Sequence, residues 1–244
     1  CMTTCPSGVN YMHLVDHARV HIEKTYRRPL LDRLYRQMLA LVLPYPGRFR
    51  IALFAASLAR PFRRWIGRIP GAGPMQAMLE LAPRRLPPRD PQASSGRYRP
   101  GGPRRARVAL LAGCAQPVLD PGINVATIEL LVRLGVEVVL PPAQGCCGAL
   151  VHHMGREGDG LHFARYNVDA WTRELEGDGL DAIIITTSGC GTTVKDYGHM
   201  LRLDPGYAEK AARGASLARD ITEFLATLDL PASDIGKGIR LAYH

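Results

Sequence analysis

No stretch of this 244-residue chain is long enough to cross a bilayer. Its longest apolar run, Ile51 to Ala59, falls far short of the roughly 20 residues a spanning helix needs. No signal peptide is read within these residues. A phosphate-binding loop, a dinucleotide fingerprint, an HExxH zinc helix and a nucleophile elbow are all missing, and Gly155, Gly158 and Gly160 do not have phosphate-loop spacing. There is no internal repeat. Aromatics are sparse and few interleave with the arginines, which argues against a nucleic-acid surface. Six cysteines are too few for a disulfide-dense secreted scaffold of this length, and their clustering favours metal ligation or redox use in a reducing compartment.

Charge is present in quantity but is unevenly placed. The formal net charge is +9, yet residues 1–107 carry 20 Lys+Arg against 5 Asp+Glu, while residues 108–244 carry 11 against 17. A basic half joined to a mildly acidic half calls for an electrostatic partner, and on charge alone anionic lipid, nucleic acid and an acidic protein all qualify. Between the halves, residues 83–107 hold six prolines and eight arginines with no apolar periodicity. Such a segment is expected to be an extended or mobile linker and a domain boundary.

Apolar spacing predicts helices over about 11–26, 29–43 and 49–66, the second stopped by Pro44-Tyr45-Pro46. Beyond residue 107 the pattern alternates. Strands are expected over 108–112, 136–140 and 182–186, with helices over about 121–134, after Gly148, and over 161–175, 193–201 and 206–228. The segment Ile239 to Tyr243 reads as the start of another strand. Alternation of this kind implies βαβ crossovers and a parallel sheet, hence an α/β fold.

The cysteines occupy telling positions in that pattern. Cys114, the adjacent pair Cys146-Cys147 and Cys190 each fall just beyond a predicted strand, the edge at which open α/β sheets bind ligands. Neighbouring cysteines do not readily bridge each other, but both can ligate a metal centre. Flanking glycines, as in Gly145-Cys-Cys-Gly148 and Gly189-Cys-Gly191, let backbone amides approach bound sulfur. At the start of the chain, Cys1-x3-Cys5-Pro6 matches the last piece of a ferredoxin cluster motif, so the chain reads as a fragment of a longer polypeptide. His152 and His153 read first as ordinary helix residues near the site, with ligation by either as the alternative, and Lys195, Asp196 and His199 as a solvated face, with a partner contact or local charge balance as the alternative.

The run Cys114…Cys146-Cys147-Gly148…Cys190 resembles a CCG cysteine-rich domain, the module found in heterodisulfide reductases and their relatives. Together with Cys1-x3-Cys5-Pro6-Ser7-Gly8-Val9 and Ser188-Gly-Cys-Gly-Thr-Thr-Val-Lys-Asp-Tyr-Gly-His199, it is most similar to the iron–sulfur subunits of glycolate oxidases. The resemblance covers nearly the whole chain and is weak in the Pro/Arg linker. It implies the end of a helical ferredoxin-type domain over residues 1–82, a linker over 83–107, one CCG domain over 108–230, and the start of a truncated second domain over 231–244. It further implies [4Fe-4S] ligation by Cys1 and Cys5, and a CCG-domain centre on Cys114, Cys146, Cys147 and Cys190. The fuller pattern ends C-x2-C, and Thr193 stands at its last position. A non-cubane cluster, another cluster, a single metal and a redox thiol site therefore all stay open. The implied partners are a flavoprotein (FAD) subunit that oxidises glycolate to glyoxylate, and a membrane quinone or anionic membrane surface, with no nucleic acid. The implied place is the cytoplasmic side of the inner membrane, peripherally bound. Lactate, glycerol-3-phosphate and heterodisulfide oxidoreductases share these modules. A zinc-stabilised basic binding protein is the reading from a different class.

Overall fold

Three short runs of branched aliphatics set the architecture. In the computed structural model, which describes residues 6–93, 95–230, 238 and 240, β2 (Ala106–Leu110), β3 (Val136–Leu140) and β4 (Ala182–Ile185) are almost entirely buried, as strands covered on both faces must be. With β1 (Gly96–Tyr98) and β5 (Ala218–Asp220) they form one sheet in the order β1-β3-β2-β4-β5. All neighbours run parallel except β1, which pairs antiparallel with β3. Alternate residues split the sheet between two cores. Ala109, Val139, Ile183 and Ile185 pack with Ala164, Val168 and Trp171 on one face, while Val108, Leu110, Val138 and Ile184 pack with Ile128, Leu131 and Phe224 on the other.

The helices follow from the same patterning. A helical N-terminal unit contains α1 (Tyr11–Thr25), α2 (Leu30–Val42), α3 (Pro46–Ala59), a 3-10 turn at Arg60–Phe62, α4 (Arg63–Ile66) and α5 (Gly73–Leu81). Pro46, expected to stop a helix, instead occupies the first turn of α3, where its missing N–H costs nothing. Among the sheet strands lie α6 (Gln116–Leu119), α7 (Gly122–Arg133), α8 (Ala149–His153), α9 (Glu157–Glu176), α10 (Ser188–Lys195), α11 (Tyr197–Met200), α12 (Ala208–Leu217) and α13 (Ile221–Leu225). Buried Phe163, Ala164, Asn167, Val168, Ala170 and Trp171 recur at helical spacing along α9.

Two expectations are corrected. The helix predicted over 206–228 is interrupted, because Ala218, Arg219 and Asp220 pair with β4. Asp220 then restarts the helix with a capping box shared with Glu223. The segment 83–107 is also no free linker: Ala93 is fully buried, and Gly96–Tyr98 joins the sheet. Backbone pairing of Gly96–Tyr98 with β3, an Asn124 bond to the Ala93 carbonyl and three of its arginines hold it. Arg97, Arg104 and Arg107 converge on Glu137, with Arg97 Nε 2.5 Å and Arg107 Nε 3.2 Å from Oε1, and Arg104 Nη1 3.1 Å from Oε2. Arg107 also reaches Glu174. Burial works to raise the Glu137 carboxyl, but the three guanidinium bonds hold it below the usual carboxylate range. The strand expected over 239–243 falls almost wholly outside the described residues.

Glu137 and Arg107 are both nearly inaccessible. Removing one charge from such a group leaves the other buried without compensation. Glu137→Gln is expected to destabilise the chain by about 3 kcal/mol in urea unfolding. A loss of only a few tenths of a kcal/mol, as for an exposed pair, would contradict this role for the cluster.

Candidate metal–sulfur site

Parallel strands deliver the four cysteines of the α/β unit to one edge. Cys114 follows β2, Cys146 and Cys147 follow β3, and Cys190 sits in the first turn of α10 just after β4. The sheet order has β2 between β3 and β4, and the connections leave β2 for β3 and β3 for β4 on opposite sides. This is a topological switch point, where loops diverge and open a site. All four cysteines are free thiols, with Cys146 and Cys147 buried and Cys114 and Cys190 partly so. They associate in two pairs: Sγ of Cys146 lies 3.5 Å from that of Cys114, and Sγ of Cys147 lies 3.1 Å from that of Cys190. Cys1 and Cys5 lie outside the described residues.

The double-cysteine loop is held open by polar groups that sequence reasoning missed. Asn167, fully buried on α9, accepts from the Gly145 N–H (2.8 Å) and donates to the Cys146 carbonyl (2.9 Å). The Tyr197 hydroxyl, also fully buried, donates to the Cys147 carbonyl (2.8 Å) and lies 3.1 Å from Asn167 Nδ2. Gln144 Nε2 anchors the start of the loop to the Leu110 carbonyl. Gly148 must be glycine. Its φ is +82°, and an added Cβ would lie 3.1 Å from both the Gly160 carbonyl oxygen and the Phe163 Cβ. Its N–H in turn points to Cys146 Sγ (3.4 Å). A signal for Asn167 did exist, as a lone amide on the apolar stripe of α9.

Burial and mutual contact disfavour the thiolate forms of Cys114, Cys146 and Cys147. For Cys114, the hydrogen bond with Cys146 and then burial push the thiol far above its ordinary value. The contact with Cys114 lowers Cys146, but the neighbouring Cys147 thiol and burial prevail and push it up to about 12. Cys147 behaves alike: the neighbouring Cys146 lowers it, the bond with Cys190 and burial raise it, and it reaches about 12. A metal held by these thiols would have to displace their protons. By number and softness the four sulfurs suit iron–sulfur or zinc chemistry. In arrangement they are paired with each other, and among the described residues no three Cys, His, Asp or Glu side chains stand as a ready metal-binding group. Thr193 adds no donor, since it is buried with its hydroxyl bonded to the Gly189 carbonyl (3.2 Å).

The N-terminal helices roof this loop. Ala40 of α2 packs in one cluster with Cys146, Val151, Met154 and Phe163. On α1, Asp16 meets both histidines expected to be ordinary: His153 Nδ1 at 3.0 Å and His152 Nε2 at 3.4 Å. His13 Nε2 bonds Asp196 at 2.7 Å and its ring stacks on His199 at 3.6 Å. The face read as solvated is thus a contact between α1 and the α/β unit, beside a cavity of about 280 Å³. Gly155 permits the approach, since a Cβ there would lie 2.4 Å from the Arg19 carbonyl oxygen.

Two outcomes follow from these contacts. Asn167→Leu keeps the volume but strands the Gly145 N–H and the Cys146 carbonyl, and is expected to cost on the order of 2–4 kcal/mol and to speed labelling of Cys146 and Cys147 by thiol reagents. Unchanged labelling would show that the clamp does not control the loop. The second outcome concerns pH. Burial holds His152 and His199 below the ordinary imidazole value of 6.5, so folding favours their neutral forms. Burial works to raise Asp16, yet its bonds from His153 and Arg19 hold it below 3.8. Depressed values contribute stability that is present at high pH and lost on acidification. The histidine share goes as pH falls below 6.5, and the Asp16 share only below 3.8. Hydrogen exchange of α1 amides, corrected for intrinsic rate, should accelerate between pH 7.5 and about 5.5, and His152→Gln should blunt that change.

Residues 108–195 match the family model of the CCG cysteine-rich domain. The chain is 39% identical over its full length to the glycolate oxidase iron-sulfur subunit of Escherichia coli (strain K12), covering 55% of that protein. It is 32% identical to the probable glycolate oxidase iron-sulfur subunit of Bacillus subtilis (strain 168), over 96% of this chain and 54% of the relative. Lactate utilization protein A of Geobacillus thermodenitrificans (strain NG80-2) is 30% identical over 57% of this chain and 56% of its own length. The chain thus spans about half the length of these curated relatives. No solved structure matches it. Residues 108–195 thus match the CCG cysteine-rich domain, and the chain is similar along its whole length to the glycolate oxidase iron–sulfur subunits.

Proposed function

We propose that the chain is an iron–sulfur electron-transfer subunit of a flavin-dependent 2-hydroxy-acid dehydrogenase, with glycolate the foremost substrate. Electrons would arrive from a flavoprotein subunit, where glycolate becomes glyoxylate, and leave toward a membrane quinone. The observation that carries this reading is the convergence of four free thiols at one sheet edge, in a chain similar along its whole length to glycolate oxidase iron–sulfur subunits. Similarity to the lactate utilization proteins makes lactate the next candidate. No residue of this chain is assigned to substrate oxidation.

Cys114, Cys146, Cys147 and Cys190 would hold the CCG-domain group, and Cys1 and Cys5 would contribute to a [4Fe-4S] cluster. Such a group supplies one-electron transfer at low reorganisation cost. The chain's own residues do the rest. Asn167 and Tyr197 fix the loop carbonyls so that the thiols face one another. The Gly148 N–H aims at Cys146 sulfur, a contact of the kind that tunes cluster potential. Ala40 and Phe163 exclude water over Cys146. The paired contacts favour a second reading, a dithiol site. In it, the Cys147–Cys190 and Cys114–Cys146 pairs each form one S–S bond, giving two electrons and two protons to a quinone.

Anaerobic reconstitution with iron and sulfide separates these readings. The proposal expects bound iron with acid-labile sulfide and a visible absorption that bleaches on reduction, both strongly diminished in Cys146→Ser and Cys147→Ser. Stoichiometric zinc without a chromophore would refute electron transfer. Loss of four titratable thiols on oxidation, without iron uptake, would favour the dithiol site.

A further inference from the structure

The helical arm ahead of the CCG domain turns its apolar side outward. Ile51, Phe54, Leu58, Phe62 and Trp65 recur at i, i+3, i+7, i+11 and i+14, so α3, the 3-10 turn and α4 carry one continuous stripe. None of these five is buried: Ile51 is 69% exposed and Trp65 73%. The opposite side of α3, with Ala52, Leu53, Ala56 and Ser57, is the half-buried one. A soluble helix with packing of its own has the reverse arrangement. Residues 26–70 contain ten arginines, no lysine and a single carboxylate, Asp32. Arg27, Arg33, Arg48, Arg64 and Arg68 are exposed, and none has a carboxylate in ion-pair reach among the described residues.

We infer that this arm is a docking face for an anionic lipid surface. An outward apolar stripe ending in a tryptophan, with Arg48, Arg64 and Arg68 in the same segment lacking carboxylate partners, has the chemistry of a helix lying in a bilayer interface. The apolar side chains enter the headgroup boundary and the guanidinium groups meet lipid phosphates. The stripe is the convex outer side of a helix rather than a groove, and a fluid lipid surface needs no matching shape. No helix of the described residues is long and apolar enough to cross a membrane, so the attachment is peripheral. The inference rests on the preceding reading only in placing the electron acceptor at a membrane, and it does not depend on the iron–sulfur group.

The two tryptophans make the test direct, because Trp171 is 1% exposed in the core and only Trp65 can change its surroundings on binding. The chain is mixed with phosphatidylcholine vesicles, with or without phosphatidylglycerol, and both co-sedimentation and tryptophan emission are read. The expected result is binding to the phosphatidylglycerol vesicles with a blue shift. Phe54→Ser/Leu58→Ser should abolish the shift. Arg64→Glu/Arg68→Glu should weaken binding by at least about tenfold. All four positions are exposed, so neither variant disturbs the core. Absence of binding to anionic vesicles, or equal binding by both variants, overturns the proposal. So does a shift of Trp65 on adding the flavoprotein subunit without lipid, which would make the face a protein interface. Bound iron, measured in parallel, separates the two readings: a chain that takes up iron but ignores vesicles leaves electron transfer standing and removes only the docking face.

Discussion

The parallel register of β3, β2 and β4 is the constraint on which the rest depends. Because all three strands end at the same edge, four cysteines spread from residue 114 to residue 190 meet in two contacting pairs. A helix or a hairpin would bring together only residues near each other in sequence. The βαβ crossover removes that limit and leaves the strand ends free to carry loops. The strands are apolar apart from Arg107 and Glu137, which pair with each other, and the contacts that hold the cysteine loop are made just beyond the strand ends.

Support for the thiols comes from two directions. From below, Asn167 and Tyr197 satisfy the loop carbonyls, so the double cysteine is positioned by hydrogen bonds to its backbone and its sulfurs stay available. From above, α1 and α2 close over the loop, with Asp16 gathering His152, His153 and Arg19 and with Ala40 packed near Cys146. The N-terminal unit is therefore joined to the site by charge as well as by packing. Its remaining face, along α3 and α4, is turned away from the α/β unit and stays apolar.

The strand ends were legible in the sequence because buried parallel strands read as short, mostly aliphatic runs, and the three runs at 108, 136 and 182 are of that kind, with Glu137 the one charged residue among them. The cysteines beyond them could then be placed at one edge without coordinates. The short strand at Ala218 was not legible, because Ala-Arg-Asp has no apolar run and owes its conformation to β4 and to the cap at Asp220. The order in residues 95–107 was hidden for a related reason. It comes from pairing with β3 and from arginines meeting Glu137, and such long-range contacts leave no periodic trace. The histidine contacts with α1 were missed likewise, since nothing local to His152 or His199 points to a partner more than a hundred residues away.

The central claim is that the thiols at the sheet edge hold an iron–sulfur group. Iron K-edge X-ray absorption on the chain carrying Cys1→Ser and Cys5→Ser tests it most directly, because only Cys114, Cys146, Cys147 and Cys190 then remain as cysteine ligands. The account predicts iron retained in a shell of sulfur neighbours with a second shell of iron. Iron bound only through nitrogen and oxygen, or no retained iron at all, would contradict it.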